Sequence, residues 1–138
     1  MGISEKINWI DANCWNGTAF DGQWNTRLAN HQDVLEPATG QSLWRVGVAS
    51  AADMSAAIER AHAAQSSWAA TPPRERAAIM LKAAALFERH FDELSLMIAR
   101  ETGGIIPKGQ HEVRESVVLC QLAAALPMQA QGDVLPST

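Results

Sequence analysis

Two rhythms of apolar residues divide this chain. Up to residue 49 bulky and polar residues alternate, and turn dipeptides interrupt them. The stretch "NCWNGTAFDGQW" turns at Asn16-Gly17 and again at Asp21-Gly22. Further on, Val34 and Leu35 precede the turn Glu36-Pro37-Ala38-Thr39-Gly40, after which Leu43, Trp44, Val46 and Val48 resume the extended pattern. Proline presets φ in such a turn and glycine relieves its far end. Residues 1–49 therefore read as a β-hairpin region.

From Ser50 the period lengthens to that of a helix. Ser50 and Asp53 make a capping-box-like start, and Met54, Ala57, Ile58, Ala61 and Trp68 follow at helical spacing. This helix should end near Ala69, before Thr71-Pro72-Pro73, and a second should start at the prolines, where a missing N–H costs nothing. Ala77, Met80, Leu81, Ala84 and Phe87 form the second helix's inner stripe. A third, short helix spans about Asp92 to Glu101 with Leu94, Met97 and Ile98 inward. The fourth runs from about Lys108 to Leu126, where Pro127 stops it, with Val113, Val117, Cys120 and Ala124 on its stripe. The closing "GDVLPST" reads as the start of a strand. The pattern is α+β: hairpins over 1–49, a helical segment over 50–128, and a strand beginning within 129–138.

Composition adds one qualification. The chain has 138 residues, the size of one domain or part of a larger one, and its second half is rich in alanine. Alanine-faced helices pack closely but each buries little apolar area, at roughly 25 cal/mol per Å². Such helices lean on larger residues from elsewhere, a hint that this chain expects more protein around it. The formal charge of -4 points away from nucleic acid and anionic membranes as partners. No apolar run approaches the ~18 residues of a membrane span, because Lys82 and Glu88 punctuate the longest candidate. "MGISEKINWID" lacks the apolar core of a signal peptide, and Lys6 stands where myristoylation wants Ser or Thr. Cys14 and Cys120 form neither a C-x-x-C pair nor a zinc spacing, so reduced thiols in a cytoplasmic protein are the expectation.

Four stretches raise the question of chemistry. "RETGGIIPKGQ" spaces Gly104 and Gly109 like a phosphate loop, but such a loop needs Lys and then Ser or Thr after the second glycine. Here Lys108 comes before Gly109, and a helix rather than a strand leads in; Gly103 reads as the left-handed cap of one helix and Pro107 as the start of the next. "HEVRE" lacks the second histidine of a zinc helix, since position 115 is Glu, and Glu112 and Glu115 read as a solvated face. Cys120 sits in the apolar "VVLCQLAAAL", which predicts a buried, inert thiol. The five tryptophans read as packing residues rather than a stacking platform. Residue chemistry alone supplies no catalytic and no cofactor-binding residue.

The order of these features resembles the N-terminal part of the NAD(P)-dependent aldehyde dehydrogenase superfamily. The pieces that carry it are Pro37 to Gly40, the capped helix from Ser50 to Trp68, Pro73 to Arg76, Glu101 to Gly103, and Gly132 to Ser137. Glu36 departs from the family's usual Asn, and "GGIIPKG" replaces its common Gly-Lys-Pro; Pro107-Lys108-Gly109 resembles the benzaldehyde dehydrogenase branch. The resemblance implies a piece of the α/β aldehyde dehydrogenase-like fold. It also implies an enzyme that oxidises an aldehyde through a cysteine thiolate, with NAD or NADP taking the hydride and a glutamate-activated water releasing the acid. The family's nucleophile, general base and dinucleotide turn match nothing here, and neither Cys14 nor Cys120 inherits the nucleophile's role.

By the same resemblance the helical segment would pack on the dinucleotide-binding domain, and "GDVLPST" would enter an oligomerisation hairpin. His111 and Glu115 correspond to positions lining the substrate entrance, and the Leu35 carbonyl and Glu101 to positions holding a monovalent cation in some members. The expected partners are the remainder of that fold, a small-molecule aldehyde and further copies of the chain, and no cofactor is expected on the chain alone. Two other readings stand beside this one: a non-catalytic helical interaction or oligomerisation module from a split or degenerate gene, and an unrelated soluble α+β binding domain.

Overall fold

A computed structural model of the chain describes residues 16–129 and Gly132. Of the strand expected to begin within 129–138, residues 130, 131 and 133–138 lie outside the described residues, as do the first fifteen, Cys14 among them.

Two antiparallel hairpins open the fold. β1 (Ala19–Phe20) pairs with β2 (Trp24–Asn25), and β3 (Asn30–Leu35) pairs with β4 (Ser42–Val48). Gly22 turns the first with φ 106°, and Phe20 meets Trp24 edge to face at 5.1 Å between ring centres. In the second, the Glu36 carbonyl accepts from the Gly40 N–H at 2.8 Å and the Glu36 N–H donates to the Gln41 carbonyl at 2.9 Å. Gly40 takes the left-handed φ of 71° that this closure needs. The hairpins touch where Gly47 of β4 donates to the Thr18 carbonyl and Leu28 packs over Gly47.

Four helices follow: α1 (Ala51–Ala70), α2 (Pro73–Arg89), α3 (Phe91–Thr102) and α4 (Ile106–Ala125). The expected capping box is formed. The Ser50 hydroxyl accepts from the Asp53 N–H at 3.2 Å, and the Asp53 carboxylate accepts from the Ser50 N–H at 2.8 Å. Ser50 also donates its hydroxyl to that carboxylate, and these bonds hold the Asp53 carboxyl below its ordinary pKa. Pro73 lies in the first turn of α2 and Pro107 in that of α4. The last helix starts at Ile106, two residues before the expected start, and stops at Ala125; Leu126–Met128 continue as a 3-10 turn around Pro127. Proline cannot donate the next α-helical bond, so the chain tightens instead.

The core sits where α2, α3 and α4 meet, and it is built of small residues. Ala84, Ser95, Ala99, Gly109, Val113, Val117 and Ala124 are buried, with Val113 only 1 % exposed. Ser95 is accommodated because its hydroxyl donates to the Phe91 carbonyl at 2.7 Å. The apolar pattern misplaces two faces. Met54, Ile58 and Trp68 of α1, expected inward, are exposed, and α1 has no buried residue and no extensive packing contact with another described element. Periodicity marks a face that prefers cover; it does not supply the cover. Leu81 is likewise exposed while Ala84, three residues on, is buried. Cys120 is half-buried rather than buried, between the buried Val117 and Ala124 of the same stripe.

Candidate functional site

The glycine-rich stretch is a joint between helices. Gly103 closes α3 with φ 70°, and Thr102 turns its hydroxyl back to the Ile98 carbonyl at 2.7 Å while accepting from the Gly104 N–H at 3.3 Å. Ile105 is extended and its carbonyl accepts the first bonds of α4, from Lys108 and Gly109. Lys108 pairs along its own helix with Glu112, so the ammonium is directed along the helix and not toward the glycines.

The turn of the second hairpin lies on this joint. A Cβ on Gly103 would sit 3.1 Å from the Pro37 Cβ, so the proline ring rests against the bare glycine. Beside it, Arg100 Nε donates to Glu36 Oε1 at 2.6 Å, and the Thr39 hydroxyl donates to Glu36 Oε2 at 2.7 Å. The guanidinium first, and then the hydroxyl, hold the Glu36 carboxyl below the usual carboxylate range. Between turn and helix lies a shallow cleft of about 190 Å³, bordered by Ala38, Leu96, Ala99 and Ile106. That is smaller than the roughly 300–1,000 Å³ of ordinary ligand pockets.

A second cleft, of about 520 Å³, runs between the first hairpin and α1. Its walls are Phe20, Gly22, Ala57, Ala61 and Ala64, and an ion pair crosses it: Arg60 Nη2 lies 2.7 Å from Asp21 Oδ2. Size alone admits a small ligand, but the alanine wall offers no nucleophile and no general base.

The residues carried over by resemblance fall in two places. Leu35 ends β3 and Glu101 lies in the last turn of α3; both are exposed, and they are the chain neighbours of Glu36 and Arg100, which meet. His111 and Glu115 are exposed one turn apart near the start of α4, on the edge that continues through Leu119 and Leu122, and they border neither cleft. Glu112, from the same "HEVRE" stretch, is held by Lys108. No group of three or more His, Cys, Asp or Glu is placed to hold a metal ion among the described residues. A dinucleotide's pyrophosphate needs a glycine turn between a buried strand and a helix N-terminus. The described glycine joint follows a helix, so it does not fit that group. The Glu36–Arg100 contact escapes sequence reasoning because its members stand 64 residues apart; the departure from Asn at position 36 is the one signal pointing to it. No described helix is long and apolar enough to cross a membrane.

Comparison with known proteins bears on the whole of this architecture. Residues 24–138 match the model of the aldehyde dehydrogenase family. The chain is 40% identical over 131 residues to a vanillin dehydrogenase of Amycolatopsis, covering 95% of this chain and 27% of the relative. It is 36% identical over 123 residues to the NAD(+) benzaldehyde dehydrogenase of Pseudomonas putida, covering 89% of this chain and 25% of the relative. A crystal structure of an NAD-dependent benzaldehyde dehydrogenase from Corynebacterium glutamicum superposes with a TM-score of 0.81 at 31% identity, over 95% of this chain and 28% of that one. Lactaldehyde dehydrogenase from Escherichia coli superposes with a TM-score of 0.79 at 30% identity, over 87% of this chain and 25% of that one. The chain thus spans about a quarter of the length of the relatives it matches.

Proposed function

The chain belongs to the aldehyde dehydrogenase family, and we propose that it serves as the N-terminal segment of an enzyme that oxidises an aromatic aldehyde to the carboxylic acid with NAD or NADP. The observation that carries the reading is the identity of 40% and 36% to relatives named for vanillin and benzaldehyde. Alone, the chain is expected to be catalytically incomplete, since nothing in it corresponds to the family's thiolate, general base or dinucleotide turn.

The exposed apolar faces support a scaffolding part in that enzyme. Val118, Leu119 and Leu122 are exposed on α4 with Leu126 just beyond its end, and Met54, Ile58 and Trp68 are exposed along α1. Faces of this kind mark surfaces made for other protein. In this reading the helices pack on the dinucleotide-binding domain, and residues 129–138 enter an oligomerisation strand. His111 and Glu115 border the substrate entrance, at the polar end of the same α4 edge. Leu35 and Glu101 hold a monovalent cation, a role supported by the contact of their neighbours Glu36 and Arg100. The assembled enzyme is a cytoplasmic homo-oligomer.

A chimera tests the proposal. The matching 131 residues of the Amycolatopsis vanillin dehydrogenase are replaced by this chain's, and NADH formation is followed with vanillin, benzaldehyde and lactaldehyde. Turnover retained on the two aromatic aldehydes is expected, together with none from the 138-residue chain by itself. A folded chimera without activity overturns the segment's role, and a preference for lactaldehyde overturns the substrate class.

A further inference from the structure

The hairpin of β3 and β4 makes no extensive packing contact with any described helix. Yet its turn is held at a defined place on the α3–α4 joint. Among the described residues, two ion pairs join the hairpins to the helices, and each is an arginine gripping a turn: Arg60 takes Asp21, and Arg100 takes Glu36. We propose that Glu36 and Arg100 form a latch that holds the β3–β4 hairpin on the helical body, and that this hairpin opens as a unit when the latch is broken while α2, α3 and α4 stay packed.

Three observations bear on this. The pair is largely shielded, with side chains 15 % and 24 % exposed, so water competes weakly for it. Glu36 joins two jobs in one residue. Its backbone closes the turn through Gly40 and Gln41, and its carboxylate joins Thr39 on one oxygen and Arg100 on the other. A neutral, shorter asparagine there would keep the backbone bonds and lose the grip. Beside the pair, Pro37 rests against Gly103, a small apolar contact with no direction of its own. Units tied by few contacts open locally, below the free energy of global unfolding.

Amide hydrogen exchange on the 138-residue chain tests the latch, with residues 106–125 of α4 as internal reference. The variants are Glu36→Gln, Arg100→Gln, the double variant and the exchanged pair Glu36→Arg with Arg100→Glu. Glutamine at position 36 keeps an acceptor for Thr39, so the first variant isolates the charge. Each single variant should speed exchange over residues 30–48 by roughly five- to tenfold, as loss of a shielded charge-assisted bond does. The double variant should add little beyond either, and the exchanged pair should recover part of the protection. Unchanged hairpin exchange, additive effects in the double variant, or equal acceleration in α4 each overturn the proposal; the last makes Arg100 a residue of the global fold instead.

Discussion

Gly109 of α4 lies against the Ser95 carbonyl of α3 so closely that a Cβ would overlap it. Glycine inside a helix ordinarily weakens it by roughly 1 kcal/mol relative to alanine. Here the crossing of two helices depends on that missing atom. Gly109→Ala should therefore lower stability by about 1–3 kcal/mol, as overpacking does, against the direction of helix propensity. Denaturant midpoints of the two proteins measure it, and a midpoint that rises removes the argument.

Gly103 is a second glycine with a defined role, at the other end of α3. Its φ of 70° and the nearby Pro37 ring oppose any side chain. Gly103→Ala should cost about 1–2 kcal/mol, from conformational strain with a smaller steric part. In a double-mutant cycle with Pro37→Gly, which removes the Cβ as well as the ring, the coupling should equal the steric part alone, and thermal unfolding of the four proteins resolves it.

Leu119 and Leu122 make the opposite case, large apolar residues that the described fold leaves 61% and 59% exposed. Leu119→Ser with Leu122→Ser should change the unfolding free energy by no more than about 0.5 kcal/mol per site. The same pair should markedly reduce binding of a hydrophobic dye and self-association in light scattering. A large stability loss would show that the two side chains are already covered.

Asp53 ties the start of α1 to pH. Its carboxyl has a folded pKa below the unfolded value, so its stabilisation is complete above the unfolded pKa of about 3.9 and is lost as pH falls through the folded one. The first turn of α1 should fray as acid is added below about pH 4, while Asp53→Asn removes that dependence and weakens the cap at neutral pH. Carbon chemical shifts of Ala51 to Ala56, recorded against pH, follow the fraying directly.

How far the sequence carries depends on the range of the signal. Ser50 with Asp53, Pro73, Gly103 and Pro107 act within one turn of the chain, so all four helices begin, and α1, α3 and α4 end, within two residues of where the sequence places them. The core is less legible. Ser95 and Gly109 carry no hydrophobic signal, yet they are where α3 and α4 touch. Met54, Ile58 and Leu81 carry a strong one and remain outside. A hydropathy pattern ranks residues by their cost in water, whereas close helix crossings select by volume. The candidate site is legible only through order: separated turns, caps and prolines point to the family, while the Glu36–Arg100 contact needs the fold to bring its halves together.

The body of α2, α3 and α4 is closed by residues 73–128 alone, while Glu36–Arg100 joins the second hairpin to it and Asp21–Arg60 joins the first hairpin to α1. Contacts so local in sequence form quickly once the chain is free to make them. On the ribosome, then, the helical trio can collapse as soon as α4 emerges, without waiting for the hairpins to find their seats. It does so with Leu119, Leu122 and Leu126 facing outward. From that moment the nascent chain carries a sticky surface, and the interval until it is covered is when this protein is most at risk of aggregation.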